Sequence, residues 1–295
     1  MFWQQTLIFV GWSIVTLSLF WSWRRHSLEA TVPRRLSELY LWLVTVPLLV
    51  VGLGYLRFGI GAFAILGTLH LIGTTTALGT LGRSLGSRRG PAYASGALLI
   101  AGSTLVWLGA VTWPGGSLAA ISARPAGHTT TAVLFLLGAL CTLAGFVGLR
   151  TMLREGDDWL SRLGLAGFQF GAALWAIHLV FRVTVVLPVA EGMETAPPPW
   201  FPPLRMWAGG LYAIYMVLAY LAVAAFGGAL AKTQWIGKGW GRAFLVFGLL
   251  AAVTFASPAG GLFRPPLMVH VPLYAMGVLL MRKLIIDTRA REAAS

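Results

Sequence analysis

Acidic residues are scarce in this sequence. Nine Asp and Glu stand against 22 Lys and Arg, and charged residues of both signs make up 11% of 295 positions. Soluble domains carry roughly 25% charged residues, so the chain lacks the charge that a water-facing surface of its size needs. The positions of the acids exclude more. Glu29, Glu38, Glu155, Asp157, Asp158, Glu191, Glu194, Asp287 and Glu292 all fall in loops, tails or the borders of apolar runs. That removes the buried-carboxylate proton relay used by many pumps and ion-coupled transporters. Cysteine is nearly absent as well: Cys141 stands alone in the apolar run 131–149. A single thiol excludes an internal disulfide and a CxxC site, and it reads as a small buried hydrophobe. There is no P-loop, no GxGxxG after a strand and no HExxH. No lysine within an apolar run offers a Schiff-base site.

What is present is apolar. Hydrophobic residues make up 57% of the chain, the mean hydropathy is +0.78, and there are 13 Trp and 36 Gly. A span needs about 20 apolar residues to cross the hydrocarbon core. Runs of that kind lie near 3–23, 38–56, 58–80, 92–113, 131–149, 163–187, 206–230, 243–257 and 266–281. In lipid every backbone group must be satisfied internally, which runs of this length achieve as helices. The expected fold is therefore an all-α, polytopic transmembrane helix bundle of about nine spans, forming one integral membrane domain over residues 1–295. The eighth run is short and ends at Ser257-Pro258.

Charge sets the direction. Of the 22 basic residues, 17 follow the odd-numbered spans, Arg57, Arg124, Arg205 and Arg264 lie on the opposite side, and Arg182 falls within a span. This positive-inside bias requires an odd number of spans, with the N-terminus outside and the C-terminus cytoplasmic. The first run, "MFWQQTLIFVGWSIVTLSLFWSWRR", has its charges after the apolar stretch, so it is expected to stay as a helix rather than leave as a signal peptide. The net charge of +13 sits in short clusters between spans, a topology signal rather than a nucleic-acid surface. The expected location is a cell membrane of prokaryotic plasma-membrane type, with the lipid bilayer as the main partner.

Two outer loops, near 114–130 and 188–205, are rich in Pro, Gly and small residues. "APPPWFPPLR" (196–205) is expected to be largely extended, since proline cannot continue a helix, with Trp200 and Phe201 resting at the lipid–water interface. "REGDDWLSRLG" (154–164) reads as a solvated helical turn. No internal repeat is evident.

Four ionisable residues remain inside: His70, His178, Arg182 and His270. Such residues in a span are functional candidates, although a neutral histidine can also just hydrogen-bond a neighbouring helix. At about 1.5 Å per residue, His178 lies about 15 Å from the outer end of its span, Arg182 about 9 Å, His270 about 6 Å and His70 about 18 Å. Gly164, Gly167, Gly171, Trp175, His178 and Arg182 share one helical stripe. Its GxxxG lets a second helix or a flat ligand approach the backbone. Gly59, Gly67, His70 and Thr74 repeat the theme. Pro272, two residues after His270, is expected to kink the last span.

These residues admit several functions. The first is a b-type haem for electron transfer, sensing or haem handling, with His178 and His270 as axial metal ligands. In that reading His70 is the substitute ligand if the kink turns His270 away. Arg182 meets a propionate, with Arg205 or Arg264 at the rim, and the redox chemistry belongs to the cofactor. The second is a transporter for a small, anionic solute anchored by Arg182, with Gly-rich and Pro-interrupted spans permitting movement. An odd span number, no repeat and no buried carboxylate stand against it. The third is a non-catalytic subunit or assembly factor that meets other membrane subunits through glycine-rich faces. A membrane enzyme of another type stays open.

Overall fold

The computed structural model describes residues 31–52, 60–85, 90–156, 159–192, 196–256 and 265–292. The first expected span, Arg57, Glu194 and Arg264 lie outside these residues. Ten α-helices follow in order: α1 (Thr31–Gly52), α2 (Ile60–Leu85), α3 (Pro91–Thr112), α4 (Leu118–Ser122), α5 (Pro125–Leu153), α6 (Trp159–Phe181), α7 (Leu187–Glu191), α8 (Phe201–Lys232), α9 (Lys238–Phe255) and α10 (Leu267–Glu292). A π-helical segment, Arg182–Val186, joins α6 to α7. No strand occurs among the described residues. Among the described residues six stretches are long and apolar enough to cross a membrane: Pro91–Ala110, Pro125–Leu153, Trp159–Glu191, Phe201–Lys232, Lys238–Phe255 and Leu267–Thr288.

Proline sets several helix starts. Pro91 and Pro125 stand in the first turns of α3 and α5, where the missing N–H would be unpaired anyway. The same physics corrects one expectation. The Pro202-Pro203 pair does not extend the chain but opens α8, whose helix begins at Phe201. Phe201 is buried, while Trp200 beside it is exposed, so only the tryptophan has the exposure expected of an interfacial ring. Likewise α5 begins six residues before its expected apolar run, and α10 continues to Glu292, where Lys283 and Asp287 pair at 2.9 Å one turn apart.

Small residues bring the helices together. α3 sits centrally and packs on α5, α10 and α2; α8 packs on α6 and α9. A Cβ at Gly102 would stand 2.7 Å from the Gly138 carbonyl oxygen of α5, and one at Gly277 of α10 would stand 2.7 Å from that of Gly96. Such backbone-to-backbone approach is how membrane helices gain van der Waals contact without a hydrophobic drive between them. Stacked Phe146 and Phe226, 4.2 Å apart, join α5 to α8.

The end of the bundle expected to face outward is closed by short elements. Ser117 caps α4, its Oγ accepting from the Ala120 N–H at 3.2 Å. Leu118 and Ile121 of α4 join Phe181, Val186, Ala190, Phe201 and Ala208 in a separate apolar cluster. Gly115, at φ +119°, makes the turn between α3 and α4 that residues with a Cβ rarely adopt. Its neighbour Gly116 offers a carbonyl to Arg205 Nη2 at 2.8 Å, which ties the 114–117 turn to α8.

Candidate functional site

Beneath this cap lies the first polar group. The glycine stripe of α6 faces α8: a Cβ at Gly164 would meet Phe226 and Ala225 at 3.0–3.1 Å, and one at Gly171 would meet Leu218 at 3.3 Å. The occupant of the stripe is thus a helix, and the space beside those glycines is taken by α8 side chains. Toward the cap, α6 changes to π-helical register, with the Leu187 N–H reaching the Arg182 carbonyl. The change comes just before Pro188, which has no N–H to give, and single π turns are frequent at functional sites.

Arg182 is held from two sides. Its guanidinium lies 4.1 Å over the ring of Trp113, at the end of α3, a cation–π contact. Its Nη2 reaches His128 Nδ1 of α5 at 3.5 Å, while His128 Nε2 lies 3.2 Å from the Arg182 carbonyl oxygen. A carbonyl only accepts, so the Nε2 carries the proton and the Nδ1 presents its lone pair to the guanidinium. Arg205, from α8, adds a second positive charge close enough to act on Arg182. Among the described residues no carboxylate lies within ion-pair distance of Arg182 or Arg205.

His178, one turn inward from Arg182, has its Nδ1 2.8 Å from the Ala208 carbonyl oxygen. Its ring stacks on Trp175 at 5.2 Å and 7° and leans on Tyr212 at 5.5 Å. The residue is half-buried.

The second polar group lies among α1, α2, α3 and α10. His70 is buried, its Nδ1 3.4 Å from Thr74 Oγ1 and its Nε2 3.3 Å from Thr104 Oγ1. Trp107 meets it edge-on at 5.0 Å and Tyr274 at 6.4 Å. Tyr40 donates from its hydroxyl to the His70 carbonyl at 3.2 Å. His270, one turn from Tyr274 on α10, is also buried, and neither ring nitrogen has a hydrogen-bond partner among the described residues.

The four expected site residues therefore fall into two groups. Arg182 and His178 stand together on α6 and its continuation, among side chains of α3, α5 and α8. His70 and His270 belong to the α2–α3–α10 side, linked through Tyr274. The expected pair His178 and His270 sits on helices with different main neighbours, α6 on α5 and α8, α10 on α3 and α1. Three contributors escape a sequence reading: His128, Trp113 and Tyr212. The signal for His128 is Pro125, which starts a helix three residues earlier and makes the histidine part of its first turn.

By the length and composition of its helices the chain is an integral membrane protein. It matches no family model, no curated protein and no solved structure.

Proposed function

We propose that the protein recognises a small anion inside the membrane at Arg182, as the binding step of a solute-handling or transport function. One observation carries this: a guanidinium seated among α3, α5 and α6, with a second at Arg205, and no carboxylate partner to either among the described residues. A membrane-embedded cation is costly and calls for a partner. His128 and Trp113 orient Arg182 but leave its positive charge uncompensated, and an anion completes it through charge-assisted hydrogen bonds. With nine spans and the N-terminus outside, this site belongs to the outer half of the bilayer. Thermal unfolding of the purified protein with chloride, nitrate, acetate, lactate or phosphate at matched ionic strength tests it. An anion at 100 times its Kd adds about 2.7 kcal/mol, and that gain disappears in Arg182→Gln. A panel in which no anion stabilises the wild type overturns the reading.

A second reading, a b-type haem, rests on a different observation. Both ring nitrogens of His270 are buried without a partner among the described residues, and each unmade hydrogen bond costs roughly 1–3 kcal/mol. Axial ligation would use one of them, with His70, whose ring lies 6.4 Å from that of Tyr274, as the candidate partner histidine on the same side of the bundle. A reduced-minus-oxidised spectrum with Soret and α bands that vanish in His270→Ala supports it. A featureless spectrum from haem-sufficient cells removes it.

A further inference from the structure

Two histidines flank Arg182, and they are in opposite states. His128 is fully used: its Nε2–H points at the Arg182 carbonyl and its Nδ1 lone pair at the guanidinium. His178 is used at one nitrogen only. Ala208 offers a carbonyl, which can only accept, so the Nδ1 at 2.8 Å carries the hydrogen. In a neutral imidazole the other nitrogen is then a bare lone pair. The His178 Nε2 has no hydrogen-bond partner among the described residues and is not among the sealed, unpartnered atoms of the interior. Stacking on Trp175, with Tyr212 tilted against the ring, fixes its plane, and the bond to Ala208 fixes which edge is free.

His178 and Arg182 are one turn apart, a spacing that leaves their Cβ atoms about 5–6 Å from each other. In the arrangement proposed below, a ligand oxygen held by Arg182 comes beside this acceptor. A plain carboxylate or halide has no hydrogen to give to that acceptor. An anion that carries a hydroxyl has one.

We propose that this site selects small oxyanions bearing a hydroxyl donor, of the α-hydroxycarboxylate or hydrogencarbonate kind. Arg182 takes the negative oxygen and His178 Nε2 accepts from the hydroxyl. This rests on the anion reading of the same site and adds the substrate class. The groups around the ligand are His178 on α6, Arg182 at the start of its π-helical continuation, His128 from α5, and Arg205 and Tyr212 from α8. Of these two histidines, only His178 has a nitrogen left to accept. A site built to pair a hydroxyl discriminates against the analogue lacking it, because its own polar group is then left unpaired.

The test is titration calorimetry of the full-length, detergent-purified protein with L-lactate and with propionate, which differ by one hydroxyl. At pH 8 an imidazole of ordinary pKa, about 6.5, is neutral. The expected result is lactate binding at least about 10-fold more tightly than propionate, the scale of one well-placed hydrogen bond. In His178→Phe, which keeps a ring to stack on Trp175, lactate falls to the level of propionate while propionate changes little. The wild-type ratio alone decides the matter if that variant does not fold. Equal affinities in the wild type, or a preference that survives His178→Phe, overturn the hydroxyl selection while leaving anion binding in place. Absence of binding by every anion, in this titration and in the stability panel, overturns both.

Discussion

His128 and Arg182 hold each other at both ends, ring nitrogen to backbone carbonyl at 3.2 Å and guanidinium to ring nitrogen at 3.5 Å. The two residues are 54 positions apart, so this reciprocal pair joins α5 to the π-helical end of α6. It also fixes the tautomer of His128 and thereby the direction in which Arg182 can offer its remaining donors.

The pair is expected to behave as a unit. His128→Ala leaves a buried carbonyl without one donor and a guanidinium without its acceptor, a loss of about 2–3 kcal/mol in unfolding stability. The double variant His128→Ala/Arg182→Leu is expected to be less destabilised than the two single losses added together, by about 1 kcal/mol or more. Strict additivity in thermal or denaturant unfolding would show that the contact carries no energy.

Arg182→Lys is expected to fail where a charge-only role would let it succeed. Lysine is a compact point charge and cannot both lie flat on Trp113 and fork toward His128 and a ligand. Anion-dependent stabilisation should be lost in Arg182→Lys. Arg124→Ala, at an exposed position before α5 with no side-chain capping bond, should stay within about 0.5 kcal/mol of the wild type. Retention of the anion response in the lysine variant would reduce Arg182 to a diffuse charge.

How much of this is legible in the sequence differs residue by residue. The apolar runs mark the spans because hydropathy reports transfer into lipid directly, and the stripe from Gly164 to Arg182 follows from helical spacing alone. What meets the stripe is not legible: Leu218, Tyr215 and Phe226 are set by the adjacency of α6 and α8, which no local pattern encodes. For the same reason the pairing of His178 with His270 could not be judged from depth, since lying toward the same face of the membrane does not make two helices neighbours. His128 hides within "PAGHTT", whose proline and small residues read as loop. There the proline is instead the first turn of a helix. Phe201 hides similarly between prolines that open α8.

The glycines at helix crossings offer a contrast free of any ligand. A Cβ at Gly248 of α9 would stand 2.5 Å from the Tyr220 carbonyl oxygen and 2.9 Å from Ala224 Cβ of α8, whereas one at Gly239, in the first turn of the same helix, would meet nothing within 4 Å. Gly248→Ala is expected to lower stability by about 1–3 kcal/mol through overpacking. Gly239→Ala is expected to be neutral or to raise it by up to about 1 kcal/mol through helix propensity. Thermal unfolding of the two variants side by side checks the α8–α9 crossing, and an undisturbed Gly248→Ala would contradict it.

α8 ends in a Schellman arrangement, the Trp235 N–H reaching the Leu230 carbonyl at 2.9 Å and the Gln234 N–H that of Ala231 at 3.2 Å. The left-handed position, at φ 60°, is filled by Gln234 rather than glycine. Gln234→Gly relieves the Cβ crowding there and should raise stability by about 0.5–1 kcal/mol. A fall in stability of the same size would mean that the glutamine side chain has a role of its own.

The most direct measurement is an equilibrium titration of the purified protein with the most stabilising anion of the panel, in the wild type and in Arg182→Gln. Glutamine keeps hydrogen-bonding capacity but removes the charge. The result expected is a saturable isotherm in the wild type, and an affinity weaker by roughly 10- to 100-fold in the variant, the scale of one charge-assisted hydrogen bond. Equal isotherms for the two proteins would contradict Arg182 as the seat of anion recognition.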